Sequence, residues 1–273
     1  MLAAGKRIAA FENRELVALT FEPHPRSFFK PADAPFRITP EPVKERRLKA
    51  LGVDRVDVLD FNDIMAGLTA EQFIEMIILG HLNASHVVVG SDFHFGKSRT
   101  GTVETLRNDK RFQVDGVALE LMADAPVSST RIREALKSGD IGVANAMLGW
   151  DWEMEGIVAH GDKRGRDLGY PTANIPLEDT IAPAYGIYAV RVNIDGAWRD
   201  GVANIGIRPM FETKAPLLEV YVFDFDGDLY GQPLRVQPVQ KLRDEARFDD
   251  LEALKAQMAR DVVDAKAALS NKS

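Results

Sequence analysis

The chain of 273 residues contains no cysteine. That excludes disulfides, Cys-ligated zinc, iron–sulfur clusters and a thiol nucleophile together, and leaves oxygen or histidine to bind any metal. Long apolar runs are missing as well. Stretches such as Ile77–Leu79 and Val87–Val89 fall far short of the roughly 20 residues needed to cross a bilayer. The opening MLAAGKRIAAFENRE has no extended apolar region and soon turns charged, unlike a secretory signal. Positive charge is in deficit: 34 Lys and Arg against 41 Asp and Glu give a net charge of −7. A general nucleic-acid binder needs a basic face, so none is expected here. A small anion held by a few local Lys and Arg side chains is compatible with the same balance. These absences predict a cytoplasmic protein with neither a membrane nor a nucleic acid as partner.

What remains is ordinary globular material, 45% hydrophobic and 27% charged. At roughly 100–200 residues per domain the length predicts two domains, or one large one. Residues 1–148 alternate short apolar runs with helical patterns. Strands are expected at Leu16–Phe21, Val53–Leu59 and His86–Val89, with a strand pair near 112–121. Helices are expected at about 41–51, after a capping box of Thr69 and Gln72 and ended by Gly80, near 101–109, from a Ser129 cap to Gly139, and at about 140–148. Alternation of this kind implies a parallel, doubly wound sheet with ligands beyond the strand ends. The loops FEPHP (21–25) and GSDFHFG (90–96) lie there. After Gly149 the pattern becomes strand after strand, at 152–160, 185–195, 197–205, 217–225 and 233–240. Asp195-Gly196 and Asp226-Gly227 are turn signals between them. This predicts a small antiparallel barrel closed by a helix at about 248–270.

The segment Gly161–Asn174 reads GDKRGRDLGYPTAN. Gly161, Gly165 and Gly169 free the backbone for close approach to a ligand. Lys163, Arg164 and Arg166 place three positive charges beside it. Thr172 and Asn174 offer hard oxygen ligands suited to Mg²⁺ carrying a nucleotide. The composition alone fits a magnesium–phosphate site and a polar surface turn equally. Glu219, in a strand, reads by itself as an outward-facing side chain.

This segment closely resembles the signature of riboflavin kinases. So do GIYAV (186–190), GVANIGIRP (201–209), LLEVYVFDFDGDLYG (217–231) and LRDEARF (242–248), in the same order. The resemblance implies a six-stranded barrel that transfers the γ-phosphate of ATP to riboflavin, with Mg²⁺ as cofactor and flavin as substrate and product. It assigns Thr172 and Asn174 to Mg²⁺ and the ATP phosphates, together with Gly161, Lys163, Arg166 and Gly169. Glu219 becomes the base for the ribityl hydroxyl, and Arg243 a flavin-binding residue in the segment that closes over the flavin. One departure is Met210, where the family usually has Thr.

Three segments of the first half, TFEPHPRSFF (20–29), VVVGSDFHFGKSRTG (87–101) and VSSTRIREAL (127–136), resemble the other half of the bifunctional bacterial enzyme, an FMN adenylyltransferase of Rossmann-like fold. Ser128, Ser129, Thr130 and Arg133 gather at a helix N-terminus, where N–H groups and the helix dipole favour phosphate; a plain N-cap explains Ser129 equally well. Asp92 and Phe93, with Phe95, match a loop that contacts flavin or nucleotide. His24 is read both as a phosphate contact and as a loop His held by backbone. The family's G-x-F-D-G-x-H-x-G-H motif has no counterpart, and the chain starts within what resembles the helix after it. The expectation is an adenylyltransferase domain at 1–148 lacking its first strand, from a chain cut short or begun at a downstream start codon, followed by the kinase barrel at 149–273. FMN formation from riboflavin and ATP is expected, with FAD synthesis lost or weak. The competing readings are a non-catalytic flavin- or nucleotide-binding module and a nucleotidyltransferase of another substrate.

Overall fold

A computed structural model describes residues 1–160, 169–178, 180–207 and 216–270. The chain divides into two compact units, one of Met1–Asp33 and Lys44–Pro126, the other of Ala34–Val43 and Val127 onward.

The first unit begins with α1 (Leu2–Glu12), β1 (Val17–Glu22) and α2 (Pro25–Phe29). The chain re-enters it through α3 (Glu41–Ala50), then runs through β2 (Arg55–Asp60), α4 (Asp63–Gly67) and α5 (Ala70–Phe73). The expected capping box is present at α5: Thr69 Oγ1 accepts from the Gln72 amide at 3.2 Å and Gln72 Oε1 from the Thr69 amide at 2.9 Å. The helix widens into a π-helix over Ile74–His81, so Gly80 lies inside its last turn rather than beyond it. A Cβ on Gly80 would come within 3.0 Å of the Glu75 carbonyl. There follow β3 (His86–Gly90), the short pair β4 (His94–Phe95) and β5 (Gly101–Thr102), α6 (Val103–Asn108) and β6 (Gln113–Val117). β7 (Leu121–Met122) and β8 (Ala125–Pro126) form a separate hairpin, so β7 does not partner β6 as the sequence suggested.

Parallel pairing is present as expected, β1 with β2 and β3 with β6. The two pairs share no strand, so they stand as separate two-stranded sheets. Both lie on one core, in which Phe73, Ile74, Ile77, Ile78, Leu106 and Phe112 meet Leu19 and Phe21 from β1, Val87 and Val89 from β3 and Val114 from β6.

The second unit contains α7 (Ser129–Ser138) and α8 (Ile141–Leu148), ended by Gly139 and Gly149 at φ +83° and +76°. Its strands are β9 (Met154–Ile157), β10 (Ala173–Pro176), β11 (Gly186–Ile194), β12 (Ala197–Gly206), β13 (Leu217–Val222) and β14 (Pro233–Arg243). β10 lies inside what the sequence offered as loop, bracketed by Pro171 and Pro176. The strands are antiparallel in the order β10-β13-β12-β11-β14-β9. A bridge between Ala159 and Asn174 joins the two ends of that order and nearly closes a barrel. Tyr188, Val190, Ile205, Leu218 and Val220 fill the interior. Burial holds the Tyr188 phenol above its ordinary range, and its hydroxyl donates to the Ala184 carbonyl. The closing helix α9 (Leu251–Ser270) lays Ala265 and Leu269 on Ala189 and Phe223, with Val202 and Tyr221 alongside.

The compact units do not divide where the sequence pattern changes. Segment 127–148 packs with the barrel: the Ala184 amide donates to the Leu136 carbonyl, and Gly139 approaches Lys241 and Ala184. Segment 34–43 does so too, because Trp152 Nε1 donates to the Ile38 carbonyl at 2.6 Å and the Ile181 amide to the Arg37 carbonyl at 2.8 Å. Among the described residues no helix is long and apolar enough to cross a membrane.

Candidate functional site

Residues directly opposite one another in adjacent strands share a face of the sheet. Asn174 on β10 faces Glu219 on β13, Glu219 faces Asn204 on β12, Asn204 faces Ile187 on β11, and Ile187 faces Arg243 on β14. One line across five strands therefore carries three side chains that the sequence singled out, Asn174, Glu219 and Arg243. They are separated by 24 to 69 residues in the chain, and only the register brings them level. The face is the outer one, since Ala189, Val202 and Tyr221 on it meet α9.

Asn174 is 7% exposed, whereas Glu219 is half-buried. Asn204 Nδ2 donates to Glu219 Oε2 at 3.2 Å. Tyr170 meets Tyr221 edge to face at 5.3 Å between centroids, which ties the approach to β10 to the strand of Glu219. Gly169 takes φ +85° at the turn before it. A cavity of about 600 Å³, in the range of small-ligand sites, lies against Asn174; β13 lines it with Val220 and Val222, which alternate with Glu219 on the strand, and Glu219 is not among the described lining residues. Pro171, Thr172 and Asn174 form one wall, Phe225, Asp228 and Tyr230 the other. Tyr230 stacks on His160 at 4.2 Å, and the Gly231 amide donates to the Val158 carbonyl, fixing that second wall. Thr172 and Asn174, which carry a hydroxyl and an amide oxygen, thus line one space. Both are hard donors of the kind Mg²⁺ accepts, and among the described residues no cluster of acids or histidines offers a competing metal cage. Gly161, Lys163 and Arg166, like Met210, lie outside the described residues.

Arg243 is held by three hydrogen bonds. Its Nε and Nη2 donate to Asp261 of α9 at 2.8 and 2.6 Å, its Nη1 to the Asp244 carbonyl at 2.9 Å, and it lies over the Phe248 ring at 5.9 Å. It ties β14, the LRDEARF segment and α9 together. Lys241, hydrogen-bonded to Asp244 at 2.6 Å, holds that carboxyl below its ordinary range.

The residues of the first half divide between the units. His24, Asp92 and Phe93 belong to the first, and Ser128, Ser129, Thr130 and Arg133 to the second. His24 is the N-cap of α2, its Nδ1 accepting from the Arg26 amide at 3.1 Å, which is the backbone-held reading. Asp92 is exposed and its carbonyl meets His94 Nδ1; Phe93 stacks on Phe95, which is buried in the core. At α7 the cap is Ser128, which accepts from the Arg131 amide at 3.3 Å, so Ser129 is the first helical residue and not the cap expected. Ser129 and Thr130 are exposed at that N-terminus. Arg133 donates to the Phe36 carbonyl at 2.8 Å and lies over its ring, clamping segment 34–43.

Family models match both halves, FAD synthetase over residues 1–131 and riboflavin kinase over 148–269. A bifunctional riboflavin kinase/FMN adenylyltransferase of Bacillus subtilis is 36% identical over 99% of this chain and 88% of its own length. The protein of that description from Pseudomonas fluorescens is 42% identical over 90% of this chain and 80% of its own. The chain belongs to this bifunctional family. A crystal structure of a macrolide-efflux protein from Streptococcus pneumoniae is 32% identical, with a TM-score of 0.84 over 97% of this chain and 88% of that one. That likeness concerns sequence and fold, and the efflux in its name is not brought to this chain.

Two residues of this riboflavin kinase half escaped the sequence reading. Asn204 sits inside the strand V-A-N-I-G, and Asn is depleted in strands, so an Asn at mid-strand signals a required polar group. Asp261 lies on the helical stripe with Ala265 and Leu269, and an acid on an apolar stripe signals a buried partner.

Proposed function

We propose that the barrel half of this chain, residues 149–273, phosphorylates riboflavin to FMN at the expense of ATP. The carrying observation is the register line that sets Glu219 opposite Asn174, which with Thr172 lines the cavity. Phosphoryl transfer asks for positioning, charge neutralisation and a group that orients the nucleophile. Glu219 takes the proton of the ribityl 5′-hydroxyl as that oxygen bonds to the γ-phosphorus, and the bridging oxygen leaves with its electron pair on ADP. Thr172 and Asn174 would hold Mg²⁺, which when bound would draw charge from the phosphate oxygens. Gly161, Lys163 and Arg166 extend the phosphate site, with Gly169 as its turn. Arg243 serves the flavin side by ordering the LRDEARF segment through Asp261.

The half at 1–148 is the adenylyltransferase side of the family. Asp92, Phe93, Ser129 and Thr130 are its exposed or half-buried candidates for nucleotide, while His24, Ser128 and Arg133 support backbone. The protein acts in the cytoplasm on riboflavin, FMN and ATP. Incubation with riboflavin, ATP and Mg²⁺ followed by chromatography tests the kinase reading. FMN is expected. Its absence at high enzyme, with the barrel folded by tryptophan emission, overturns the assignment.

A further inference from the structure

Glu219 does not stand alone on its face. Asn204 is level with it on the neighbouring strand and donates Nδ2–H to its Oε2 at 3.2 Å. A carboxylate only accepts hydrogen bonds, so the amide must present its NH₂ to Glu219. The consequence is visible on the other side of the amide: Asn204 Oδ1 is buried and has no partner among the described residues. Buried polar atoms are nearly always satisfied, and an orphan calls for an explanation. Rotating the amide would set its oxygen against the carboxylate, so the acidic side chain dictates the orientation. The strand holding Asn204 is clamped on both sides, pairing with β11 from Ala197 to Ile205 and with β13 from Gly201 to Gly206. Asn204 is therefore a fixed donor aimed at one carboxylate oxygen.

We infer that Asn204 is a positioning residue for phosphoryl transfer, holding the Glu219 carboxylate in the orientation from which it accepts the substrate proton. The inference rests on the reading of Glu219 as the base. A group that acts only by orienting a base affects the transition state and leaves ground-state binding alone, so its loss lowers kcat without raising KM.

The test compares steady-state kinetics of Asn204→Ala, Asn204→Ser, Asn204→Asp, Glu219→Gln and the Asn204→Ala/Glu219→Gln pair, with riboflavin and ATP varied, each checked for folding by tryptophan emission. Asn204→Ala is expected to lower kcat on the order of 10–100-fold, as misplacement of a reacting group does, with both KM values within about threefold. Asn204→Ser keeps a donor and should recover part of the loss. Asn204→Asp keeps the shape and loses the donor, so it should be at least as slow as the Ala variant. In the Glu219→Gln background, Asn204→Ala should add less than about threefold, because the group it orients is gone. A kcat for Asn204→Ala within about threefold of the parent, while Glu219→Gln is strongly slowed, overturns the inference and leaves the base in place. Equal losses in the two backgrounds, or a raised KM with kcat intact, overturn it as well. A Glu219→Gln enzyme of nearly parental kcat removes the base itself.

Discussion

Replacing Asp261 by Asn tests how the end of β14 is held. The Asp261 carboxylate accepts from Arg243 Nε at 2.8 Å, from Arg243 Nη2 at 2.6 Å and from Gln257 Nε2 at 2.9 Å. Its side chain is 7% exposed and that of Arg243 is 24% exposed. Removing one charge of a buried pair costs about 3–5 kcal/mol, because the other charge stays desolvated. Arg243 can regain part of its hydration, and the new amide would keep one accepting oxygen, so the low end applies, about 3 kcal/mol. At roughly 3 °C per kcal/mol for a unit of this size, the thermal midpoint should fall by about 9 °C. All three tryptophans, Trp150, Trp152 and Trp198, lie in this unit, so their emission follows its melting and not that of the other unit. The control is Arg243→Met with Asp261→Leu, which removes both charges and fills the space with apolar atoms. Such replacements are often neutral, so the double variant should melt within about 3 °C of the parent. A fall of less than about 2 °C for Asp261→Asn would refute the claim that this is a buried pair whose loss leaves a desolvated charge. So would a double variant that melts as low as the single one.

Asn174→Ala should weaken Mg²⁺–ATP binding or turnover by more than it lowers the melting temperature, since an amide oxygen ligand has no apolar substitute; normal turnover by a destabilised variant would make Asn174 a structural residue. Gly186→Ala should be poorly tolerated. Gly186 has φ +145°, and a Cβ there would overlap the Arg243 carbonyl oxygen, a backbone atom that cannot swing aside. Tryptophan emission should show a loss of about 2 kcal/mol or more, and unchanged melting would mean that β14 yields freely at its bulge. In the first unit, the hydrogen-bonded Arg111 guanidinium holds the Asp109 carboxyl below its ordinary range. A depressed folded-state value gives stability that is present above the ordinary carboxylate range and lost as pH falls through the folded value. The destabilisation of Asp109→Asn, followed by hydrogen exchange in α6 and β6, should therefore shrink as pH is lowered from about 6 to about 3, and a pH-independent difference would contradict it.

The sequence carried the barrel better than it carried the first unit, and the reason is the range of the interactions involved. Alternating strands with Asp195-Gly196 between them announce a hairpin because everything that decides it is local, down to Asp195 and Gly196 taking φ of +50° and +87°. The capping box at Thr69 is local in the same sense. β10 was hidden because its strand character comes from pairing with Glu219's strand, not from its own proline-bracketed residues. The Ser129 cap was misplaced by one residue, within the reach of what a run of two serines can decide. Segment 34–43 could not be placed at all from sequence, since its attachment runs through the indole of Trp152 and the guanidinium of Arg133, both about 100 residues away.

The candidate site shows the same division. Thr172, Asn174 and Glu219 were legible one at a time through a resemblance of motifs, yet nothing in the chain says that Asn174 and Glu219 share a register level. Arg243 was legible as a residue but not in its bonding, because Asp261 lies beyond the segment the motif covers. Register explains why these side chains stand level with one another. Strands fix a side chain's height to within a fraction of the roughly 3.3 Å rise per residue, and the neighbouring ladder fixes it again from the other side. A two-residue slip of β13 would keep Glu219 on the outer face and still carry it past Asn174 and Asn204. The inner alternation of Leu218 and Val220 would survive such a slip. What opposes it is the packing of Tyr221 against α9 and edge-on to Tyr170, so the residues that hold the line in register are aromatic and apolar neighbours on the same face.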